Sequence, residues 1–475
     1  MAKVLKSAAL ALLLSPGARA AGAPINIPLA ATQITLDPTA VQDTQSLTVA
    51  RQLHCQLLRM SGRDSTPEAA DEIRFVSPTL LQMTLKPGVK FTDGRPVTAD
   101  DVVATFELLK SSRLVLRYVF AWIDRVEAVD SRTVVFHLHA SVPSFLKFLG
   151  APNYALMPRD FIEKAKANPE LWNNPVGCGK YRVGKWDRAG GLIELDPVAD
   201  GRPLVFHLAA TFSLDPAKLA SFDVLDAPYG EALRTEDAGK YREVVIFDPK
   251  QYYLGLNTKL PAWHKKENRC RVLNAIDRSA IVAGYGSGAE VPKSFFPRGI
   301  LGYAPDWPER ALTGPAPLGR PFRLAFLELS VPKEKRGLYE KAVSAVVGPV
   351  KTSLIHDVSR YGLEFLSSGA DGAVIGLRAN DLDGYEFLAT FCEPYADITG
   401  YQSAALKKRI NATQQLNDPT QRAQSYRSVA ATIADECLVL PLMTKTTRAV
   451  MIRKELATPG LGEGPLNEYD FSLVR

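Results

Sequence analysis

Leu85-Lys-Pro-Gly-Val-Lys-Phe-Thr-Asp-Gly-Arg-Pro-Val-Thr-Ala-Asp-Asp-Val102 is the stretch whose reading decides the fold. It continues Leu80-Leu-Gln-Met-Thr-Leu85, where apolar residues alternate as they do in a half-buried strand. Lys86-Pro-Gly88 turns the chain, and Val89-Lys-Phe91 resumes it. Thr98-Ala-Asp-Asp101 reads as a capping box, with Thr98 accepting from backbone amides and Asp101 complementing a helix N-terminus. Val102, Phe106 and Leu109 then recur at i, i+4 and i+7, the apolar stripe of a helix packed on one face.

The same alternation of strand and helix runs along the rest of the chain. Val129–His139 is a turn followed by a strand, and Val176-Gly-Cys-Gly-Lys-Tyr181 is a glycine-rich turn leading into another. Tyr252-Tyr-Leu-Gly-Leu256 is strand-like, and Asn268–Val282 is helical. Asp277 and Arg278 are expected to end that helix and pair locally. Leu301–Pro321, rich in Pro and Gly, reads as a long surface connection, and Leu438-Val-Leu-Pro-Leu442 as a strand interrupted by proline. Mixed elements over 475 residues imply an α/β architecture of at least two lobes.

The N-terminus sets the expected compartment. Lys3 and Lys6 precede an apolar run, Ser7–Leu14, which Pro16 and Gly17 break before Ala18-Arg19-Ala20, a signal-peptidase pattern. The run is too short for a transmembrane helix, which needs about 20 apolar residues. Ala21, not a cysteine, follows the cleavage point, so a lipoprotein is not indicated. Removing Lys3, Lys6 and Arg19 takes the net charge from +6 to +3 (6 − 3), too little and too evenly spread for a nucleic-acid partner. Cys55, Cys178, Cys270, Cys392 and Cys437 are too widely spaced for a CxxC motif. One or two disulfides and mostly buried apolar cysteines both remain open, and the pairing is not legible.

Several blocks, in order, resemble the family 5 extracellular solute-binding proteins, the dipeptide, oligopeptide and nickel carriers of bacterial ABC importers. Leu85–Val102 is similar to the family's L-R-x-G-V-K-F-x-D-G-x-P-L-T-A-x-D-V almost position by position. Thr35-Leu-Asp-Pro38 resembles its L-D-P, and Val176–Tyr181 its V-G-T-G-P-Y, with Cys178 and Lys180 as departures. Gly255-Leu-Asn-Thr258 with Ala275-Ile-Asp-Arg278, and Leu440-Pro-Leu442, look like further family segments. The resemblance implies a two-lobed periplasmic binding protein fold (type II, cluster C-like) with an extra subdomain inserted in lobe I. It places the signal peptide at 1–20, lobe I at 21–50, 172–250 and 440–475, the extra subdomain at 51–171 and lobe II at 251–439. The chain would cross between lobes near Tyr252 and back near Leu440, forming a hinge that closes on ligand.

The implied function is a periplasmic solute-binding protein that captures a peptide or peptide-like ligand for an inner-membrane ABC permease, as a monomer. It is not an enzyme, and neither a cofactor nor a metal is expected. Peptide-binding relatives hold the ligand's amino terminus with an acidic residue in a G-W-x-x-D segment. Gly376–Asp383 corresponds, with Leu377 at the tryptophan position, Asn380 at the aspartate position and Asp381 one position on. A neutral Asn lacks the charge-assisted bond a carboxylate gives an ammonium. Asp381 replaces it if the loop shifts by one residue; otherwise Asp381 and Asp383 are solvated loop acids. On the lobe I side the candidate contacts are Gln42, Thr44, Asp226 and Tyr229. The incomplete grip leaves a sugar or metal chelate as an alternative ligand, and ligand presentation or chaperoning without a transporter as an alternative role.

An enzyme is the rival class. No Gly-x-Ser-x-Gly elbow, His-Glu-x-x-His helix or Walker loop occurs in the sequence. His137 and His139 share one strand face, but Val134, Phe136 and Leu138 supply the apolar face, so both histidines are expected to face solvent.

Overall fold

The computed structural model describes residues 22–31, 33–40, 43–61, 64–111, 115–142, 145–209, 215–226, 235–308, 318–328, 330–357, 360–378, 382–391, 396–457 and 470–474. The signal-like residues 1–20 and the candidates Gln42, Tyr229, Asn380 and Asp381 lie outside them.

The Leu85–Val102 block folds as its pattern dictates. Leu81, Met83 and Leu85 of the strand Leu80–Leu85 are buried while their neighbours are half-exposed. Gly88 and Gly94 sit at φ +82° and +90°, a region L side chains avoid, so the two turns require glycine. The helix Ala99–Lys110 buries Val102, Phe106 and Leu109. Its N-terminus carries the expected capping box. The Thr98 amide and hydroxyl both donate to Asp101 Oδ2, at 2.9 and 2.7 Å, and Asp101 Oδ1 accepts from the Arg159 amide at 2.9 Å. Asp101 therefore joins this helix to the start of Arg159–Ala167.

Three sheets of four or more strands organise the described chain. One runs Ile25–Ala30, Leu204–Ala209, Leu192–Pro197, Tyr181–Asp187, with the first pair parallel. A second, antiparallel, runs Ala70–Ser77, Leu80–Leu85, Thr133–Leu138, Ile123–Ala128. The third runs Val224–Asp226, Val439–Arg453, Tyr241–Leu256, Gly372–Arg378, Phe322–Leu327, Val350–Ile355. Its last three strands are parallel, connected through the helices Arg336–Val347 and Tyr361–Ser368, as parallel pairing requires.

Two long strands of the third sheet, Tyr241–Leu256 and Val439–Arg453, join two apolar cores. Ile246, Val450 and Ile452 pack with Ile25, Ile27, Leu195 and Phe206. At the other ends Tyr252, Leu254, Leu256, Leu440 and Leu442 pack with Trp263, Phe322 and Tyr339. A third and larger core runs from Leu81, Phe106 and Phe136 through to Tyr253, Ile375, Phe391 and Tyr426.

Several local expectations change. Asn268–Val282 is two helices, Lys266–Leu273 and Ser279–Tyr285, because Asp277 Oδ1 accepts from the Ser279 amide and starts a new one. Arg278 donates to the carbonyls of Pro292 and Pro441, pinning a loop to a long strand, and its charge helps hold the neighbouring Asp277 carboxyl below its usual value after the Ser279 hydrogen bonds. His137 Nε2 lies 3.0 Å from Glu127 Oε2 at the sheet surface. Four of the five cysteines form two disulfides, Cys55–Cys178 and Cys270–Cys437, and Cys392 lies outside the described residues.

Candidate functional site

Each long strand carries a polar interval between its two apolar stretches. On Tyr241–Leu256 it falls at Asp248–Gln251, interrupted by Pro249, and on Val439–Arg453 at Thr444–Arg448. The intervals are in register: Phe247 faces Thr447, Lys250 faces Lys445 and Gln251 faces Thr444. The pairing shifts between Phe247 and Lys250, so a bulge lies where the strands leave one core and have not yet reached the other.

Strand alternation sorts the charges onto one face. Asp226 lies opposite Val450, two residues from Arg448. Arg448 lies opposite Ile246, two residues from Asp248. Arg378 ends its strand opposite Lys250. The four side chains form a line across the sheet: Asp226 Oδ2 to Arg448 Nη1 at 3.0 Å, Arg448 Nε to Asp248 Oδ2 at 3.5 Å, and Asp248 Oδ1 to Arg378 Nε at 2.5 Å. All are largely buried, with side-chain exposures of 11 to 20%. Burial works to raise the Asp248 carboxyl, but Arg378, Arg448 and Lys250 outweigh it and hold the group below its usual value, so it stays ionised.

Lys250 reaches away from this line. Its Nζ donates to the Ser330 carbonyl at 3.2 Å and lies 4.9 Å over the Tyr252 ring. Ser330 Oγ in turn accepts from the Gly376 amide at 3.0 Å, tying this loop to the strand that ends in Arg378. The short strand Ala289–Glu290 lies against Lys445 and Thr444 on the other edge.

Of the candidates named from sequence, Asp226 and Leu377 both lie on this sheet, with two strands between theirs. Asp226 is in the charged line. Leu377 is half-buried against the largest apolar core, which explains a leucine there by packing. Thr44 is the first residue of the helix Thr44–Leu53, capped by Asp43. Among the described residues no hydrogen bond or ion pair joins Thr44 to the charged line; its carbonyl accepts from Thr48 Oγ1. Asp383 is no solvated loop acid: it is fully buried, ion-paired with Arg422 at 3.0 Å, and accepts from the Tyr426 hydroxyl. Sequence reasoning missed Asp248, Arg378 and Arg448. The signal that finds Asp248 and Arg448 is the polar interruption between two apolar runs in each long strand; Arg378 ends a different strand, Gly372–Arg378.

A separate cavity of about 160 Å³ lies beside the Cys55–Cys178 disulfide, lined by Arg51, His54, Glu68, Lys180 and Asp470. Its charges are matched: Arg51 pairs with Glu68 at 3.1 Å, and Lys180 with Asp470 at 3.1 Å. Its volume corresponds to about five water molecules. It lies away from the crossing strands and carries no surplus charge for a ligand.

Residues 66–203, which include the Leu85–Val102 block, match the model of the bacterial extracellular solute-binding proteins, family 5, middle region. A Brucella ovis protein named for ABC-transporter peptide binding is 29% identical over 261 residues, 50% of this chain and 49% of that one. The glutathione-binding protein of Pectobacterium atrosepticum is 26% identical over 290 residues, 56% of this chain and 55% of that one. The chain thus matches about half the length of these curated relatives. Among solved structures, the murein tripeptide binding protein of Escherichia coli superimposes with a TM-score of 0.80 over 96% of this chain and 98% of that one, at 17% identity. The substrate-binding protein CtaP of Listeria monocytogenes gives 0.76 over 95% and 99%, at 19% identity. At such identities the likeness is one of fold, and the fold is the two-lobed binding-protein architecture expected from sequence.

Proposed function

We propose that this chain, a relative of the family 5 extracellular solute-binding proteins, captures a small peptide-like solute between two hinged lobes and delivers it to an ABC permease. The single observation that carries the reading is the pair of in-register polar intervals, Asp248–Gln251 and Thr444–Arg448, on the strands that join two apolar cores. Two strands crossing together make a hinge, and a bulge beside it gives the backbone a place to bend. On this reading residues 21–50, 172–250 and 440–475 are lobe I, 51–171 its extra subdomain and 251–439 lobe II, with 1–20 a signal peptide removed on export. Two disulfides support an oxidising, periplasmic setting. The protein works as a monomer and performs no chemistry: the ligand enters and leaves unchanged.

Ligand selectively stabilises the closed form, because only that form contacts it from both lobes. A true ligand at a hundred times its Kd stabilises the protein by about 2.7 kcal/mol. Thermal melts against a panel of peptides, sugars and chelates, with native mass spectrometry of the gently purified protein, test this. A melting shift with at least one compound is expected. No shift across the panel, together with no retained ligand, overturns the reading.

A further inference from the structure

We infer that the charged line at the hinge receives a carboxylate of the ligand, and that Arg378 is the residue that selects for it. This rests on the ligand-capture reading above and names the ligand's chemical class. Arg378 is oriented through one edge: its Nε meets Asp248 at 2.5 Å, and its backbone is held opposite Lys250 in the sheet. Its Nη2 is buried and has no hydrogen-bond partner among the described residues. A buried cationic donor without an acceptor is costly, and an anionic acceptor removes that cost, whereas an ammonium adds repulsion.

The surroundings point the same way. Among the described residues the polar intervals and adjoining strand ends hold four cations, Lys250, Arg378, Lys445 and Arg448, against two carboxylates, Asp226 and Asp248. Glu290, beside Lys445, is met by Arg298 at 3.5 Å and does not offset the surplus. Arg448 is engaged by both carboxylates, and Lys250 is turned to Ser330. Arg378 and Lys445 remain, and of the two it is Arg378 whose buried donor meets no acceptor among the described residues. A planar guanidinium held by a carboxylate on one edge is preorganised to bind a second carboxylate on another. In the sequence Gly376–Asp381 an arginine stands two positions after Gly376, and Asn380 stands where an ammonium-binding acid would, with Asp381 one position on.

Matched probes test the inference on the full mature chain. Trialanine, trialanine amide and N-acetyl-trialanine, with a sugar acid and its parent sugar, are titrated by calorimetry and thermal shift against wild type, Arg378→Gln and Arg378→Lys. Compounds with a free carboxylate should bind wild type at least tenfold more tightly than their neutral counterparts, and acetylating the amine should leave affinity unchanged. Arg378→Gln should abolish the acid preference, and Arg378→Lys should retain part of it, with circular dichroism confirming that both fold. Equal affinity for acid and amide, or an acid preference that survives in Arg378→Gln, overturns this inference while leaving ligand capture intact. If neither these probes nor the broader panel binds wild type, it is ligand capture itself that fails.

Discussion

His54 shows how one side chain sets a pH limit. It caps the helix Thr44–Leu53 and is fully buried. Burial pushes its pKa down to about 4, against a smaller opposing contribution from the Leu156 backbone. The unfolded chain binds this proton near pH 6.5, the folded chain only near 4. Stability from this group is therefore full above pH 6.5 and falls progressively as the pH drops toward 4. The gap of about 2.5 pKa units corresponds to about 3 kcal/mol. His54→Gln should flatten the fall in urea-unfolding stability between pH 6.5 and 4 by about that amount; an unchanged pH profile would show that His54 is not the sensor. At the same scale Asp383 shows why loop acids are hard to read. Nothing in Asn380-Asp-Leu-Asp383 marks which acid is buried, and only Arg422 and Tyr426, arriving from a distant helix, decide it.

At the scale of elements, the glycine turn Val176–Tyr181 does more than reverse the chain. A Cβ on Gly179 would come within 2.3 Å of the Gln52 carbonyl oxygen and 2.4 Å of the Leu53 carbonyl carbon, both backbone atoms that cannot swing aside. A Cβ on Gly177 would meet the Leu53 carbonyl oxygen at 2.0 Å. The turn therefore lies directly on the end of the Thr44–Leu53 helix, where Cys55 and Cys178 bond. Gly179→Ala should destabilise by about 2 kcal/mol or more, the range for backbone displacement and overpacking. Gly319→Ala, where nothing lies within 4 Å but φ is +65°, should cost about 1 kcal/mol of backbone strain. Chemical denaturation of both variants checks the order, and equal losses would refute it. The elements themselves were legible where period and punctuation agreed, as in Leu80–Leu109. They were misread where a helix restarted after one capping acid, as at Asp277, because hydrophobic period continues across such a break.

For the whole molecule, the disulfides join residues 123 and 167 positions apart. Closing loops of that length restricts the unfolded chain by an amount worth up to about 5 kcal/mol each on chain entropy. Cys55–Cys178 ties the end of the helix Thr44–Leu53 to the turn Val176–Tyr181, and Cys270–Cys437 ties the helix Lys266–Leu273 to the start of the long strand Val439–Arg453. Reduction should lower the melting temperature, and the paired variant Cys270→Ser with Cys437→Ser should reproduce part of the drop. Melting that is indifferent to reductant would show that neither bond restrains the fold. By itself the sequence determined the class of fold, the positions of many of its strands and helices, and the family likeness, because hydrophobic period, caps and obligatory glycines are local properties that short stretches carry whole. The site was decided only in three dimensions. Asp226, Asp248, Arg378 and Arg448 are scattered over more than two hundred positions, and become one line of charge because antiparallel pairing stacks alternate residues of four strands on one face. Strand order and partner choice are properties of the assembled sheet, and no one segment encodes them.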